Sequence, residues 1–531
     1  MSAQDDRARA VRLGLIDQLR PVASAWSVNG RDVVFLAGFD LGAEIGGFLS
    51  LTLQTGERLL VQVQALRLAV RDAISVDLDT DQMDGADDFV RSAKVGMAVR
   101  FIEGEGLVLG RLDDGAIVRH DAEAFGEARI EAATDAEVAS MATAALGSSV
   151  GLAVGRLSRA EVDATLKASG FSRHTFLCGQ SGSGKTYSLG ALLERILLET
   201  ALPLVIIDPN SDYVGLGSLR SRADINRNRR APLSAAAYAT LKADYAARAG
   251  VAVARAEGGD LPLRIHLSDL TLAEQALTLD LDPIEHSDEY AAYVEATAAL
   301  SRDRYSVADV SDVLTHRFDE ASRRVAQRIQ NLRIGSWRVW AGVDEPSLSD
   351  QAFGHRCIVL DTGSLTDARE RSVVALALLG RLRRRPERHP ISVVIDEAHN
   401  VCSPDAHTGL ERAVADHTVW IAGEGRKFGI YLVLSTQRPQ KVHRNVISQC
   451  DNLLLMRVNS VTDLDELASV FSHVPRSMVA EARSFQLGEM LAAGPIATTP
   501  MRLRMGERWS PEGGADLPTT WAAPQHTGGP S

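Results

Sequence analysis

The stretch FLCGQSGSGKTYSLGALLERIL, residues 176–197, decides the fold class of this chain. It contains the pattern G-x-x-x-x-G-K-T, which follows an apolar run and opens an amphipathic helical pattern. Glycines in such a loop let backbone N–H groups approach phosphates closely, and the helix N-terminus adds its dipole. The pattern predicts a phosphate-binding loop (P-loop) whose nucleotide-contacting residues are Gly179, Gln180, Ser181, Gly182, Ser183, Gly184, Lys185, Thr186 and Tyr187.

Two residues of this loop have distinct predicted roles. Lys185 is expected to contact the β- and γ-phosphates of ATP, and Thr186 is expected to ligate Mg²⁺. A second motif, ISVVIDEAH (residues 391–399), ends an apolar run in Asp396 and Glu397. An aspartate there can hold Mg²⁺, and the adjacent glutamate can polarise an attacking water. The pair favours ATP hydrolysis over a P-loop phosphotransferase.

Apolar runs around these motifs predict an α/β, doubly wound sheet of parallel strands, with helices between most of them. The runs are HTFLCG, LPLVIID, RCIVLD, ISVVID, IYLVLST and NLLLMRV. Asp208 ends the second run and is expected at the carboxyl edge, as a supporting carboxylate or as a simple turn residue. Gln437 follows the fifth run, where a polar side chain can sense the γ-phosphate or can merely cap the strand.

Several basic residues have two readings each. Arg426 precedes the fifth run and can act on a neighbouring subunit's ATP or lie in a solvated turn, and Arg173 presents the same choice. Arginine clusters at 220–230, 323–338 and 381–388 can contact DNA phosphates or form solvated faces. The first cluster is favoured for DNA because its pattern is loop-like.

Composition bounds the class of protein. The chain has 531 residues and a net charge of −12, but residues 1–150 hold 14 Lys+Arg against 24 Asp+Glu, while the rest hold 43 against 45. The acidic balance therefore lies in the N-terminal region and does not exclude DNA binding elsewhere. No apolar run is long enough to span a bilayer, the N-terminus lacks a secretory pattern, and four dispersed cysteines favour a reducing compartment. A cytoplasmic protein is expected.

Changes in residue pattern along the chain predict five segments. Residues 1–150 contain short, partly alternating runs that predict a small antiparallel β-barrel. Residues 151–214 and 351–505 form the predicted ATPase core, 215–350 a helical insertion without strand signals, and 506–531 an extended tail.

These motifs together resemble the HerA family of the FtsK/HerA superfamily. The similar segments are SRHTFLCGQSGSGKT, VIIDPNSDY, VVIDEAHN, GEGRKFGIYLVLSTQRPQKVHRNVISQCDNLLLMRV and FQLGEMLAAGPIATTPMRLRM. The resemblance implies a RecA-like ATPase sheet with the HerA/ATP-synthase type of barrel, a homo-hexameric ring, DNA at its centre and ATP at subunit interfaces. It also implies that Arg426 and Arg173 act across an interface and that Gln437 is the sensor. The departure at 209–212 from the family's D-x-x-G-E-Y pattern leaves the role of Asp212 open.

The sequence is compatible with two functions that belong to different classes. The first is an ATP-driven DNA translocase or helicase of the HerA type, working with a partner nuclease or an NAD-hydrolase-type effector in DNA repair or antiviral defence. The alternative is a nucleotide-gated ring that scaffolds and activates an effector with little translocation. Stimulation of ATP hydrolysis by DNA separates the two.

Overall fold

The computed structural model of the chain describes residues 22–79, 92–121, 123–227, 231–351, 354–385 and 388–513, with the side chains of 71–99 outside this description. The chain divides into two compact units. Unit 1 comprises residues up to Phe171 together with Asp451–Gly506, and unit 2 comprises Ser172–Cys450 together with the residues from Glu507 onward.

A closed antiparallel β-barrel forms the N-terminal part of unit 1, as the sequence predicts. Six strands run in the order β2-β1-β7-β3-β4-β5, the pairing of β2 with β5 closes the barrel, and β6 adds to β5. The alternating runs place one side of each strand inside, where Phe35, Leu51 and Leu59 are fully buried. The strands are β1 Ser24–Ser27, β2 Asp32–Ala37, β3 Phe48–Leu53, β4 Arg58–Asp79, β5 Ser92–Asp113, β6 Ala116–Val118 and β7 Phe125–Ala132.

Unit 1 also contains an antiparallel sheet of order β17-β18-β19-β8-β9. A hydrogen bond from Gln62 in the barrel to the carbonyl of Pro500, at 2.7 Å, connects the barrel to this part of the unit. The strands of this sheet are β8 Gly151–Leu157, β9 Asp163–Lys167, β17 Cys450–Leu455, β18 Glu489–Ala493 and β19 Met501–Met505. The helices of this part of the chain are α1 Asp135–Leu146, α13 Val461–Val470 and α14 Arg476–Ala480.

A parallel sheet of order β13-β12-β14-β11-β15-β16-β10 forms the centre of unit 2. Strands β10, β11, β14 and β15 are buried along their whole length, which explains their uninterrupted apolar runs. The strands are β10 His174–Cys178, β11 Leu204–Asp208, β12 Val251–Arg255, β13 Leu261–Pro262, β14 Cys357–Asp361, β15 Ile391–Ile395 and β16 Ile430–Thr436.

Helices flank this sheet. They are α2 Lys185–Glu199, α3 Arg222–Asn226, α4 Ala235–Arg248, α5 Leu272–Thr278, α6 Ser287–Ala299, α7 Val307–His316, α8 Glu320–Asn331, α9 Leu348–Gln351, α10 Ala368–Arg384, α11 Gly409–Glu424 and α12 Arg444–Ile447. Short 3₁₀ turns occur in both units at Phe39–Leu41, Ala168–Ser172, Leu267–Asp269, Ile334–Ser336, Thr362–Ser364, Ala398–Asn400, Gly425–Phe428, Pro439–Lys441 and Glu481–Ser484.

The structure differs from the sequence-based expectation at three places. Residues 215–350 contain two strands as well as helices, because the alternating run at β12 pairs with β14 instead of continuing a helix. The sixth apolar run forms β17, which pairs antiparallel with β18. Cluster 220–230 is not simply a loop, since α3 occupies part of it.

Membrane-spanning helices and disulfides were not expected from the sequence, and the described residues bear on both. Within them, no helix has both the length and the apolar character needed to cross a membrane. All four cysteines are buried and free of disulfides.

Candidate active site

The P-loop connects β10 to α2. Gly182 and Gly184 adopt positive φ angles of 73° and 90°, a backbone conformation that residues other than glycine rarely adopt. The loop closes with a hydrogen bond from the Ser183 N–H to the carbonyl of Gln180, at 3.1 Å. Helix α2 then begins at Lys185, so its unpaired N–H groups face the loop.

Lys185 lies at the centre of a buried polar network. Its Nζ lies 2.8 Å from Oδ1 of Asp396 and 3.1 Å from Oε1 of Glu397, and it donates a hydrogen bond to Oγ of Ser435 at 3.1 Å. Ser435 in turn donates to Asp396 at 2.7 Å. Burial lowers the pKa of Lys185, but the two carboxylates outweigh this effect, and its pKa lies above the ordinary value. The lysine is therefore charged at neutral pH.

Glu397 is held in a strained backbone conformation, with a φ of 46° at a residue that is not glycine. Its side chain is 9% exposed, and its Oε2 lies 3.2 Å from Nδ1 of His399. The same ring nitrogen lies 3.1 Å from Oγ1 of Thr436. Burial holds the pKa of His399 below its ordinary value, which favours the neutral ring. Strain of this kind concentrates at functional sites because the surroundings must impose it.

Asp208 ends β11 and organises the loop that follows. Its carboxylate accepts hydrogen bonds from the backbone N–H groups of Asp212 at 3.0 Å and Tyr213 at 2.8 Å. The Tyr213 hydroxyl donates to Oδ2 of Asp396 at 3.5 Å, which links the loop to the Lys185 network. Burial raises the pKa of Asp208 to about 6 and that of Asp212 to about 7.

The sequence alone indicated no specific role for Asp361 or Tyr213. Asp361 ends β14 beside Asp208, accepts a hydrogen bond from Ser211 at 2.7 Å and pairs with Arg255 at 2.6 Å. The signal was present, because the run RCIVLD also ends in a carboxylate. Tyr213 keeps the tyrosine of the family pattern D-x-x-G-E-Y, but the motif does not indicate its contact with Asp396, which joins residues 183 positions apart.

Gln437 lies at the same edge of the sheet as the P-loop. It follows Thr436, which pairs with Cys178 in the parallel register, and Gly179 donates its N–H to the Thr436 carbonyl at 3.3 Å. The Gln437 side chain is exposed. This position places it next to the start of the P-loop.

Arg173 and Arg426 lie at the opposite edge. Arg173 directly precedes β10, and Arg426 lies in the turn before β16, the strand that pairs with β10. Strand β16 has seven residues, so about 20 Å of strand separates Arg426 from Gln437. The structure thus brings the two arginines to one edge and places neither at the P-loop of its own chain.

Each basic cluster contains at least one ion pair, and in the third cluster Arg384 pairs with Glu274 at 3.2 Å. In the first cluster Arg227 pairs with Asp224 at 2.8 Å, and in the second Arg324 pairs with Glu320 at 2.6 Å. In the third, Arg383 lies 5.0 Å from the ring of Trp420 and Arg388 lies 5.3 Å from the ring of Phe428. No described carboxylate forms an ion pair with Arg383 or Arg388.

Comparison with known families agrees with this geometry. The family model described as "Helicase HerA, central domain" matches residues 152–345, a range that includes the P-loop. This part of the chain is similar to the HerA family of P-loop ATPases. The resemblance found in the sequence motifs is confirmed, as is the fold class of a P-loop ATPase sheet with a small β-barrel.

Relatives of this chain match over limited segments. A probable helicase of Methanocaldococcus jannaschii is 28% identical over 152 residues, which is 28% of this chain and 29% of the relative. The DNA double-strand break repair helicase HerA of Sulfurisphaera tokodaii is 31% identical over 113 residues, 21% of this chain and 22% of the relative. The chain thus spans less than a third of either relative. The solved structure of VirB4 of Thermoanaerobacter pseudethanolicus aligns with a TM-score of 0.48 and 15% identity, over 68% of this chain and 96% of that one.

Proposed function

We propose that this chain is an ATP-hydrolysing DNA translocase or helicase of the HerA type that works as a homo-hexamer. The contact of Lys185 with both Asp396 and Glu397 supports it most directly. In that arrangement the phosphate-binding lysine, a metal-binding carboxylate and a water-activating carboxylate converge at one sheet edge, which is what hydrolysis of a bound triphosphate requires.

Each side chain has a role in the proposed reaction. Phosphate oxygens of ATP compete with Asp396 and Glu397 for the Lys185 ammonium, which frees both carboxylates for their own tasks. Glu397 then accepts a proton from the attacking water, and the neutral ring of His399 beside it adds no competing positive charge. Gln437, next to the P-loop, orients the water or the γ-phosphate.

The residues present fit a Mg²⁺ ion, which supplies charge neutralisation between the phosphates when bound. Thr186 and Asp396 would hold it. Mg²⁺ in nucleotide sites is bound by one or two protein oxygens together with phosphates and water, so it needs no cage of protein ligands.

The position of the two arginines supports the proposed ring. Arg426 is exposed at the edge opposite to the P-loop, so it reaches a γ-phosphate only on a neighbouring subunit. Arg173 lies at the same edge and serves as a second interfacial cation. Arginines supplied in this way stabilise the charge of the transferred phosphoryl group.

Hydrolysis is tested by steady-state ATPase assays on two variants. Lys185→Ala removes the phosphate-contacting charge and should abolish turnover. Glu397→Gln should still bind ATP but lose at least ~10²-fold in rate, the usual scale for a positioned general base. An exposed change such as Glu424→Gln serves as a control. Equal rates for Glu397→Gln and wild type would remove Glu397 from the mechanism.

DNA binding is tested by the salt dependence of affinity for duplex DNA. Each lost phosphate contact should flatten the slope of log K against log salt by roughly 0.9. Because Arg383 and Arg388 lack described acidic partners, Arg383→Gln/Arg388→Gln should flatten it more than Arg324→Gln, whose charge is already paired. A wild-type slope in the double variant would move the DNA surface to another cluster, 220–230 first. Absence of DNA binding at low salt would instead favour the ring that scaffolds an effector.

The biological setting belongs to the same proposal. A cytoplasmic ring of this kind would act with a nuclease or an NAD-hydrolase-type effector in DNA repair or antiviral defence. Co-purification of the native complex, followed by identification of the partner, decides between these settings.

A further inference from the structure

The segment Glu507–Gly513, which follows β19, packs on the P-loop helix. The backbone N–H groups of Trp509 and Ser510 donate to the carboxylate of Glu194 at 2.8 Å and 2.6 Å, and that carboxylate is fully buried. Arg195 donates to the carbonyl of Glu507 at 2.8 Å, and its guanidinium lies 3.5 Å from the centre of the Trp509 ring. Two adjacent residues of α2 thus bind the segment through charged groups.

Arg508 lies at the centre of this contact and is 0% exposed. Its Nη2 donates to the carbonyl of Asp212 at 2.9 Å, and its Nη1 donates to the carbonyl of Thr186 at 3.5 Å. Its own backbone N–H donates to the Tyr187 hydroxyl at 2.8 Å. One side chain therefore ties the first turn of α2 to the loop that carries Tyr213.

The surrounding chain leaves room for this arginine. At Gly190 a Cβ atom would lie 2.5 Å from Nε and 2.6 Å from Cζ of the guanidinium, and at Gly215 a Cβ would lie 2.7 Å from the carbonyl of Pro511. Helix α2 carries a glycine in its interior despite the cost to helix stability, about 1 kcal/mol relative to alanine. A larger residue at position 190 would push Arg508 out of place.

We propose that Arg508 is a positioning residue for ATP hydrolysis and that it couples the segment Glu507–Gly513 to the nucleotide site. This inference rests on the proposed function, because it concerns the same site. Arg508 touches none of the reacting groups. It fixes the backbone of Thr186, a proposed Mg²⁺ ligand, and the loop whose Tyr213 contacts Asp396.

The first test separates positioning from binding in full-length protein. Arg508→Gln should lower kcat by about tenfold or more, the scale of a lost charged hydrogen bond, while the KM for ATP changes by less than about threefold. Millimolar guanidinium should restore part of kcat in Arg508→Gly, and equal NaCl should not. Gly190→Ala, which crowds the guanidinium, should act in the same direction. Gly423→Ala, with open space around its Cβ on α11, should match wild type. A wild-type kcat in Arg508→Gln overturns the proposal.

The second test does not require turnover. A non-hydrolysable ATP analogue should slow hydrogen–deuterium exchange of the Trp509 and Ser510 amides in wild type and in Gly423→Ala, but not in Arg508→Gln. Unchanged exchange in wild type with bound analogue would overturn the coupling, even where hydrolysis is proven. Slowed exchange together with no hydrolysis by wild type would overturn the proposed function and leave the coupling standing. A folding defect in Arg508→Gln would show as faster exchange throughout unit 2. In that case the kcat and the amide exchange of Gly190→Ala decide whether Arg508 positions the site.

Discussion

Asp208 shows how a single residue serves both the fold and the site. Its carboxylate is fully buried and accepts two backbone N–H groups, which shapes the loop that carries Tyr213. Burial nevertheless raises its pKa to about 6, because the hydrogen bonds only partly offset the lost hydration. The residue therefore titrates near physiological pH.

This shift predicts a pH-dependent stability. The pKa of Asp208 is higher in the folded chain than in the unfolded chain, so the folded state holds the extra proton and loses stability as pH rises through about 6. Between pH 5 and pH 7 the free energy of unfolding should fall by about 1 kcal/mol more in wild type than in Asp208→Asn. Urea unfolding at both pH values measures this, with exposed Asp465→Asn as control. Parallel pH profiles for wild type and Asp208→Asn would show that Asp208 does not titrate in this range.

At the same scale, the sequence located the site better than it described its interior. Strand-end positions predicted that Lys185, Asp396 and Glu397 meet, and the structure brings them together. The contacts of Tyr213 and Arg508 were not predictable. They depend on which distant residues the folded backbone brings near, and no local pattern records that.

Among the elements, strands buried on both faces were the most predictable, because continuous apolar runs are typical of them. Strand β12 was missed because its run, VAVAR, stands in an alanine-rich region that favours helix. Its pairing with β14 overrides this local preference, as tertiary context commonly does.

The barrel gives a prediction at the scale of the element. Gly104 on β5 faces Phe35 on β2 at the closing pair of strands, and a Cβ there would overlap the buried phenyl ring. We expect Gly104→Ala to cost about 1–3 kcal/mol through overpacking. Gly126 lies on β7 of the same barrel with open space around it, so Gly126→Ala should stay within about 0.5 kcal/mol. Calorimetric unfolding compares the two. Equal melting temperatures would show that Phe35 can move aside.

For the whole molecule, the proposed ring makes a prediction about mixtures. Subunits with Arg426→Ala, or with Lys185→Ala, should each be inactive alone. Mixed together they should regain part of the activity, because a Lys185→Ala subunit still donates Arg426 to an intact P-loop next to it. Arginines of this kind contribute on the order of 10³–10⁵ in rate, so recovery stands out clearly.

The measurement is ATPase activity across mixing ratios, with sizing data that establish co-assembly. Wild-type rings doped with each variant provide the control for strict ring-wide coordination. If proven mixed rings recover no ATPase activity, and if activity falls linearly with the fraction of variant in the doped rings, Arg426 does not act on the neighbouring site.

The length of β16, which keeps Arg426 away from its own P-loop, also bears on how the protein responds to dilution. In an isolated subunit, Asp396 and Glu397 neutralise the Lys185 ammonium, and Arg426 lies at the far end of β16. If the proposed ring forms, its assembly follows the law of mass action, and turnover per subunit should rise steeply once the concentration passes the dissociation constant of the ring. A cell could keep such an enzyme dormant merely by making little of it.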